Sequence, residues 1–285
     1  MRLTAILVVL ASPAWAEVPR VVTDFGPIQS LVMDVMGDLG TPDMLLQGGD
    51  DPHDFQLRPS QAQSLSAADV VFWDGPELMP GLGDAVASLA GQAQVVALLH
   101  DGGGRQRPFE EGGIDPHAWL DPTNGIAWAG KIAEVLSAQD PTNAATYAAN
   151  AAAVQARLTT LDADLAARLT PVKDRPFVVY HDALGYFTDH YGLNVAGAIE
   201  LSDASTPSAA GLAEIRAVFE TSSAVCVFPE AGRDPKFIAA LTEGLPIRIG
   251  AAQDLEFIVR EAGQGQYEAM LRDIGTSIAD CLSQN

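Results

Sequence analysis

PSQAQSLSAADVVFWDGPELMPGLGDAVASLAGQAQVVALL, residues Pro59 to Leu99, is the stretch whose reading decides the fold. Two amphipathic segments, Pro59 to Leu65 and Leu82 to Leu89, each lead into a short β-rich run, Val70 to Trp73 and Val95 to Leu98. Strands alternating with helices predict a parallel sheet covered on both faces. The same rhythm reaches back through Met44 to Leu46, Ile28 to Met36 and Val21-Val22. It returns after Arg175, with Phe177 to Tyr180, Leu193 to Ala196, Ala224 to Phe228 and Ile247 to Ile249 as strands, and a last helix from about Gln266 to Leu282.

Between these halves, Asn143 to Leu169 is rich in Ala, Leu, Gln and Arg and has neither Gly nor Pro, which favours one long helix. Asp140-Pro141-Thr142 starts it and Pro171 stops it. Tyr147, Val154, Leu158, Leu161, Leu165 and Leu169 recur at helical spacing, so one face is expected to be buried. The expected architecture is α/β with two lobes, each a mainly parallel sheet flanked by helices, joined by one long rigid helix. The expected division is 17–142 for the first lobe, 143–170 for the connecting helix and 171–285 for the second lobe. Leu99 to Gly113, with Gly102-Gly103-Gly104 and Gly112-Gly113, reads as a mobile loop.

Arg2, the apolar run Leu3 to Leu10 and Ala14-Trp15-Ala16 have the charged, hydrophobic and small-residue regions of a secretory signal peptide, residues 1–16. Cleavage after Ala16 would deliver the chain to the periplasm. The apolar run is too short to span a bilayer, which takes roughly 20 apolar residues. With 16 Lys+Arg against 37 Asp+Glu, the net charge of −21 argues against a nucleic-acid or anionic-lipid partner. The same charge would concentrate small cations or simply keep an exported protein soluble. Cys226 and Cys281 are the two cysteines, and export to an oxidising compartment favours a disulfide over a metal or catalytic role.

Three of the five histidines stand in pointed contexts: Asp51-Pro52-His53, Asp115-Pro116-His117 and Tyr180-His181-Asp182. In open parallel sheets the loops at the carboxyl ends of strands line the ligand crevice, and His53 and His181 fall at such ends. Three neutral imidazoles with one carboxylate make a tetrahedral set suited to zinc, whereas hard cations prefer more carboxylates. Taken singly, each of these histidines reads more readily as a surface or hydrogen-bonded structural residue, and spacing does not overturn this, since their separations match no local zinc motif. His100 and His190 are expected in solvent or packing roles. Neither His-Glu-x-x-His nor Gly-x-Ser-x-Gly occurs, so neither common hydrolytic motif supports an enzyme.

Several dispersed motifs in order bring a family into view. They are His53-Asp54-Phe55-Gln56-Leu57-Arg58-Pro59-Ser60, Ala68-Asp69-Val70-Val71-Phe72-Trp73, Gly75-Pro76-Glu77, Asp115-Pro116-His117-Ala118-Trp119-Leu120-Asp121-Pro122 and His181-Asp182-Ala183-Leu184-Gly185-Tyr186-Phe187. Together they resemble the zinc-binding proteins of bacterial high-affinity zinc ABC importers, the ZnuA type. Cys226-Val227-Phe228-Pro229-Glu230 and Asp280-Cys281-Leu282 match the two segments that a disulfide joins in many relatives. The resemblance covers essentially the whole mature chain. It implies zinc held by His53, His117 and His181 in a cleft between two α/β lobes, delivery to the membrane permease of an ABC importer, and no enzymatic activity. Manganese-binding relatives tend to carry a carboxylate where this chain has His181. The fourth ligand departs from the pattern: Pro52 stands where some relatives have Glu, and Asp254 falls at the matching place of a segment used by others, with water, Asp50 and Asp51 as competitors. Glu77 and Glu230 are expected to cap or pair at the cleft mouth, and Trp73 and Trp119 to line core or cleft wall. The Leu99 to Gly113 loop holds only His100 where many relatives crowd histidines, which leaves a separate zinc metallochaperone as a conceivable loader of an expected monomer.

Overall fold

The computed structural model describes residues 18–47, 50, 52–109, 112–200 and 209–284. The expected leader and Asp51 lie outside them. Four strands, β1 (Val21–Thr23), β2 (Asp43–Met44), β3 (Val70–Trp73) and β4 (Gln94–Ala97), pair in parallel in the order β2-β1-β3-β4. A second sheet of β5 (Phe177–His181), β6 (Val195–Glu200), β7 (Cys226–Phe228) and β8 (Arg248–Ile249) repeats that order as β6-β5-β7-β8, again all parallel. Parallel neighbours need crossovers. Those of the first lobe are α1 (Gly26–Met36), α2 (Pro59–Ala67) and α3 (Pro80–Leu89). The short α4 (Leu98–Asp101) leads into the glycine-rich loop, and α5 (Pro122–Gln139) follows it.

The long helix α6 spans Ala144–Leu169, within one residue of the expected start. Tyr147, Ala151, Val154, Leu158, Leu161, Leu165 and Leu169 are buried along one stripe, the three- and four-residue spacing that turns a single face inward. That face packs on α5, on α1 and on α10 (Gln266–Ser283). Helices α7 (Gly185–Tyr191), α8 (Ala209–Thr221) and α9 (Pro235–Thr242) complete the second lobe. One apolar cluster runs without interruption from Val21 and Leu31 through Trp128 and Leu161 to Phe228 and Leu282, so the lobes share a core. A smaller cluster, with Tyr180, Phe219, Val227 and Ile238, covers the other face of the second sheet. Cys226 and Cys281 are disulfide-bonded and tie β7 to α10.

The expectation of a mobile Leu99 to Gly113 loop needs correction for its described residues. The Arg105 amide donates to Asn124 Oδ1 on α5 at 2.6 Å, and the Arg107 amide donates to the hydroxyl of Tyr186 on α7 at 2.7 Å. Pro108 also bridges Ile114 in antiparallel fashion. Composition announced the glycines but not the two arginines that fasten the segment to both lobes.

Candidate metal centre

His181 ends strand β5, and His53 lies on the segment that follows β2, the carboxyl ends where side chains can converge in a parallel sheet, while His117 comes from the segment before α5. His53 lies in a single helical turn, Pro52–Asp54. His117 precedes the turn Ala118–Leu120 that feeds α5, and His181 is the last residue of β5. Ring centroids are 5.8 Å apart for His53 and His117, 5.9 Å for His53 and His181, and 4.9 Å for His117 and His181. One nitrogen from each ring can be chosen so that all three lie within 4.8 Å of one another, the only such group of three or more ligating side chains among the described residues. Ligand atoms on one tetrahedral zinc stand roughly 3.3 Å apart, given bonds of about 2.0 Å.

A carboxylate stands beside every ring. Asp115 Oδ1 lies 2.8 Å from His117 Nδ1 and also accepts the His117 amide, which fixes the ring and leaves Nε2 pointing into the site. His117 is 2 % exposed and Nε2 is buried without a hydrogen-bond partner among the described residues. A buried lone pair of that kind is costly unless something arrives to accept it. Glu256 Oε1 is 3.2 Å from His53 Nε2, and Glu230 Oε2 is 3.3 Å from His181 Nδ1, outside hydrogen-bonding geometry. Glu230 and Glu256 are both buried.

Asp254 is not among the groups that meet the histidines. Its carboxylate accepts the amides of Ile258 at 2.7 Å and Arg260 at 2.8 Å, with that of Val259 at 3.3 Å, and so caps a turn. That turn contains Phe257 at φ 62, a left-handed conformation that non-glycine residues rarely adopt and that clusters at functional sites. The Phe257 ring fits against helix α1 because Gly26 has no side chain: a Cβ there would lie 2.6 Å from Phe257 Cβ. The consequence is that Glu256, two residues on, faces His53. Spacing counted from the last strand could not have shown this, since the reversal depends on contacts with a distant helix. Asp50 is bound by the Arg58 guanidinium at 3.0 Å. His100 pairs with Glu77 at 2.9 Å and His190 with Asp162 at 2.7 Å, so both histidines stand outside the cluster. Trp73 and Trp119 are buried.

Two further acids at this edge drew no notice in the sequence. Asp24 follows β1 and Asp74 follows the adjacent β3; both are fully enclosed, and neither oxygen of Asp74 has a hydrogen-bond partner among the described residues. Asp24 Oδ2 accepts the Asp74 amide at 2.7 Å. Burial pushes the Asp24 carboxyl up to about 7, against the pull of its backbone hydrogen bonds. Burial, reinforced by the charges of Asp24, Glu77 and Asp115, carries Asp74 well above the ordinary carboxylate range. A folded Asp24 that titrates at about 7 keeps a proton that the unfolded chain has lost above about 3.9. The resulting stabilisation is therefore complete below pH 4 and disappears as pH rises through 7. The metal-free protein is expected to lose up to about 1.4 kcal/mol of stability per pH unit over that interval from this group. Asp24→Asn should flatten the curve, as read from denaturation midpoints at several pH values. Parallel curves for variant and wild type would rule out this assignment.

The family model described as zinc-uptake complex component A, periplasmic, matches residues 21–281. The chain belongs to that family. It is 49 % identical over 315 aligned residues to the high-affinity zinc uptake system protein ZnuA of Paracoccus denitrificans, covering 98 % of this chain and 97 % of that protein. The ZnuA protein of Brucella suis is 32 % identical, over 93 % of this chain and 92 % of the relative. Among solved structures, a ZnuA crystal structure superposes with a TM-score of 0.81 at 26 % identity, covering 93 % of this chain and all of that one. The periplasmic zinc-binding protein TroA from Treponema pallidum gives 0.84 at 26 % identity, covering 93 % and 99 %. The two solved structures share the two-lobed α/β architecture in which the three histidine segments of this chain face one another.

Proposed function

We propose that this chain captures zinc in the periplasm and hands it to the membrane permease of an ABC importer, with His53, His117 and His181 as ligands and Glu256 as the fourth. The observation that carries the reading is the convergence of three imidazoles around a buried, unpaired His117 Nε2. Three nitrogens and one carboxylate oxygen suit zinc better than manganese, which favours oxygen-rich sites. Glu256 replaces Asp254 in the ligand set because its Oε1 stands 3.2 Å from His53 Nε2, close to the spacing of two ligand atoms on one zinc, while Asp254 is engaged by backbone amides. Glu230 stands beside His181 as a neighbouring negative charge, 3.3 Å from Nδ1. The working division of the chain remains a leader at 1–16, lobes at 17–142 and 171–285 and the connecting helix at 143–170, with a monomer as the transporting form. The protein acts as a carrier without catalysis.

Metal analysis and calorimetric titration test this directly. One zinc per chain is expected, with manganese bound more weakly. Glu256→Gln should weaken zinc binding at least tenfold, whereas Asp254→Ala should act mainly on thermal stability. Loss of affinity in Asp254→Ala with none in Glu256→Gln would return the fourth position to Asp254. Zinc-dependent hydrolysis of ester, amide or phosphate model substrates would instead favour an exported hydrolase, since three protein ligands plus water is also a catalytic pattern. Affinity should fall as pH drops through about 6, because only neutral imidazole coordinates.

A further inference from the structure

Arg107 lies in the glycine-rich loop, away from the ligand atoms, and its guanidinium joins two carboxylates on different lobes. Nη1 donates to Asp115 Oδ2 at 2.9 Å and Nε donates to Asp189 Oδ2 at 2.9 Å. Asp115 is fully buried and holds the His117 ring through its other oxygen. Asp189 belongs to α7, the helix that begins four residues after His181. Two neutral links run beside the charged ones. The Arg107 amide donates to the Tyr186 hydroxyl, and that hydroxyl donates to the Asp115 carbonyl at 3.0 Å. The Asp115 amide donates to the Arg107 carbonyl at 2.9 Å.

Arg105 reinforces the same clasp, with its guanidinium over the Tyr186 ring at 5.1 Å and its Nη2 donating to the Tyr186 carbonyl. The planar guanidinium fork can serve two carboxylates at fixed angles, which a lysine ammonium on a flexible stem does less well. A buried carboxylate with one oxygen on an imidazole and the other on an arginine has no freedom to rotate. Its proton-accepting face is thereby committed to His117 Nδ1.

We infer that Arg107 is a positioning residue for the metal site: acting through Asp115, it fixes the tautomer and orientation of His117, and through Asp189 it keeps the His117 and His181 segments of the two lobes in register before metal arrives. This rests on the ligand role proposed above only for its effect on affinity. The effect on the His117 ring stands independently. Outer partners of metal-binding histidines are commonly worth 10- to 100-fold in affinity, and Arg107 acts one bond further out, so a loss of about 10-fold is expected.

Gly185 supplies a variant that leaves every charge in place. A Cβ at this first residue of α7 would lie 2.5 Å from Arg107 Cζ, so Gly185→Ala must push the guanidinium aside while improving helix propensity. Arg157, which joins Asp34 to Glu268 far from the histidines, is the matched control for a structural ion pair. The experiment records nitrogen chemical shifts of the His117 ring in metal-free protein above neutral pH, with zinc titrations in parallel, for wild type, Arg107→Ala, Arg107→Lys, Gly185→Ala and Arg157→Ala.

Wild type should show His117 with the proton on Nδ1. Arg107→Ala and Gly185→Ala should show mixed tautomers and about 10-fold weaker zinc binding, Arg107→Lys should recover part of both, and Arg157→Ala should change neither. Unaltered His117 shifts in Arg107→Ala and Gly185→Ala would overturn the inference, even if both variants melt earlier. A wild type that binds no zinc would defeat the ligand assignment and leave the ring measurement to decide the role of Arg107.

Discussion

Replacing His117 with alanine is expected to weaken zinc binding by two orders of magnitude or more. Four-ligand protein sites hold zinc with roughly 10–16 kcal/mol, so an equal share is about 3 kcal/mol per ligand, and each 1.4 kcal/mol is a factor of ten. His117 should show at least this share because it is the most thoroughly prepared of the three: buried, with Nδ1 committed to Asp115 and Nε2 left without a partner. The His117 ring itself then has little left to order or desolvate when the ion enters. Alanine also takes the ring away from Asp115 Oδ1, which keeps the residue-117 amide, while Oδ2 keeps Arg107; a void opens beside a buried charge, so some loss of stability is expected together with the loss of affinity. His53→Ala and His181→Ala should follow the same direction. His100→Ala and His190→Ala should bind zinc as wild type does, since both rings are engaged away from the cluster, by Glu77 and Asp162. Titration of the five variants decides the matter; full affinity in His117→Ala would remove the chemical basis of the proposed site.

Breaking the Cys226–Cys281 bond is expected to cost about 4 kcal/mol of stability. The chain-entropy model gives that figure for a closed loop of 55 residues, the separation of these two cysteines. Both residues are buried, and Cys226 lies on β7, the strand that leads to Glu230 through Phe228 and Pro229. Cys281 is near the end of α10, whose Tyr267 donates its hydroxyl to the Trp119 carbonyl beside the His117 segment. The cross-link therefore braces the strand behind one side of the site against the helix that packs behind the other. A Cys226→Ser, Cys281→Ser double variant should unfold at markedly lower denaturant concentration and still bind zinc where it remains folded. An unchanged midpoint, with the same dependence on denaturant, would mean that the bond contributes nothing to folding under these conditions.

Most of the architecture was legible in residue order. The strands at Val21, Val70 and Phe177 and the helix at Ala144 emerged where apolar periodicity predicted them, because side chains one turn or two residues apart must choose the same face locally. The three histidines were legible as well, through the motifs around them and, for His53 and His181, their place at strand ends. The composition of Leu99 to Gly113 pointed the other way, since glycine content describes the backbone's freedom and not the side chains that remove it.

What residue order determined by itself was the two parallel sheets, the long helix between them, the family and the three imidazoles. Only the tertiary structure brings a carboxylate of this segment beside one of them, Glu256 beside His53. Asp254 and Glu256 are two residues apart, and the left-handed Phe257, seated against Gly26 from the other lobe, turns one toward backbone amides and the other toward His53. It also alone revealed the buried acids Asp24 and Asp74 and the clasp of Arg107, because burial and ion pairing are set by groups that approach through space. Local pattern reports what a segment prefers, while the chemistry of a site depends on which distant segments the shared core forces together.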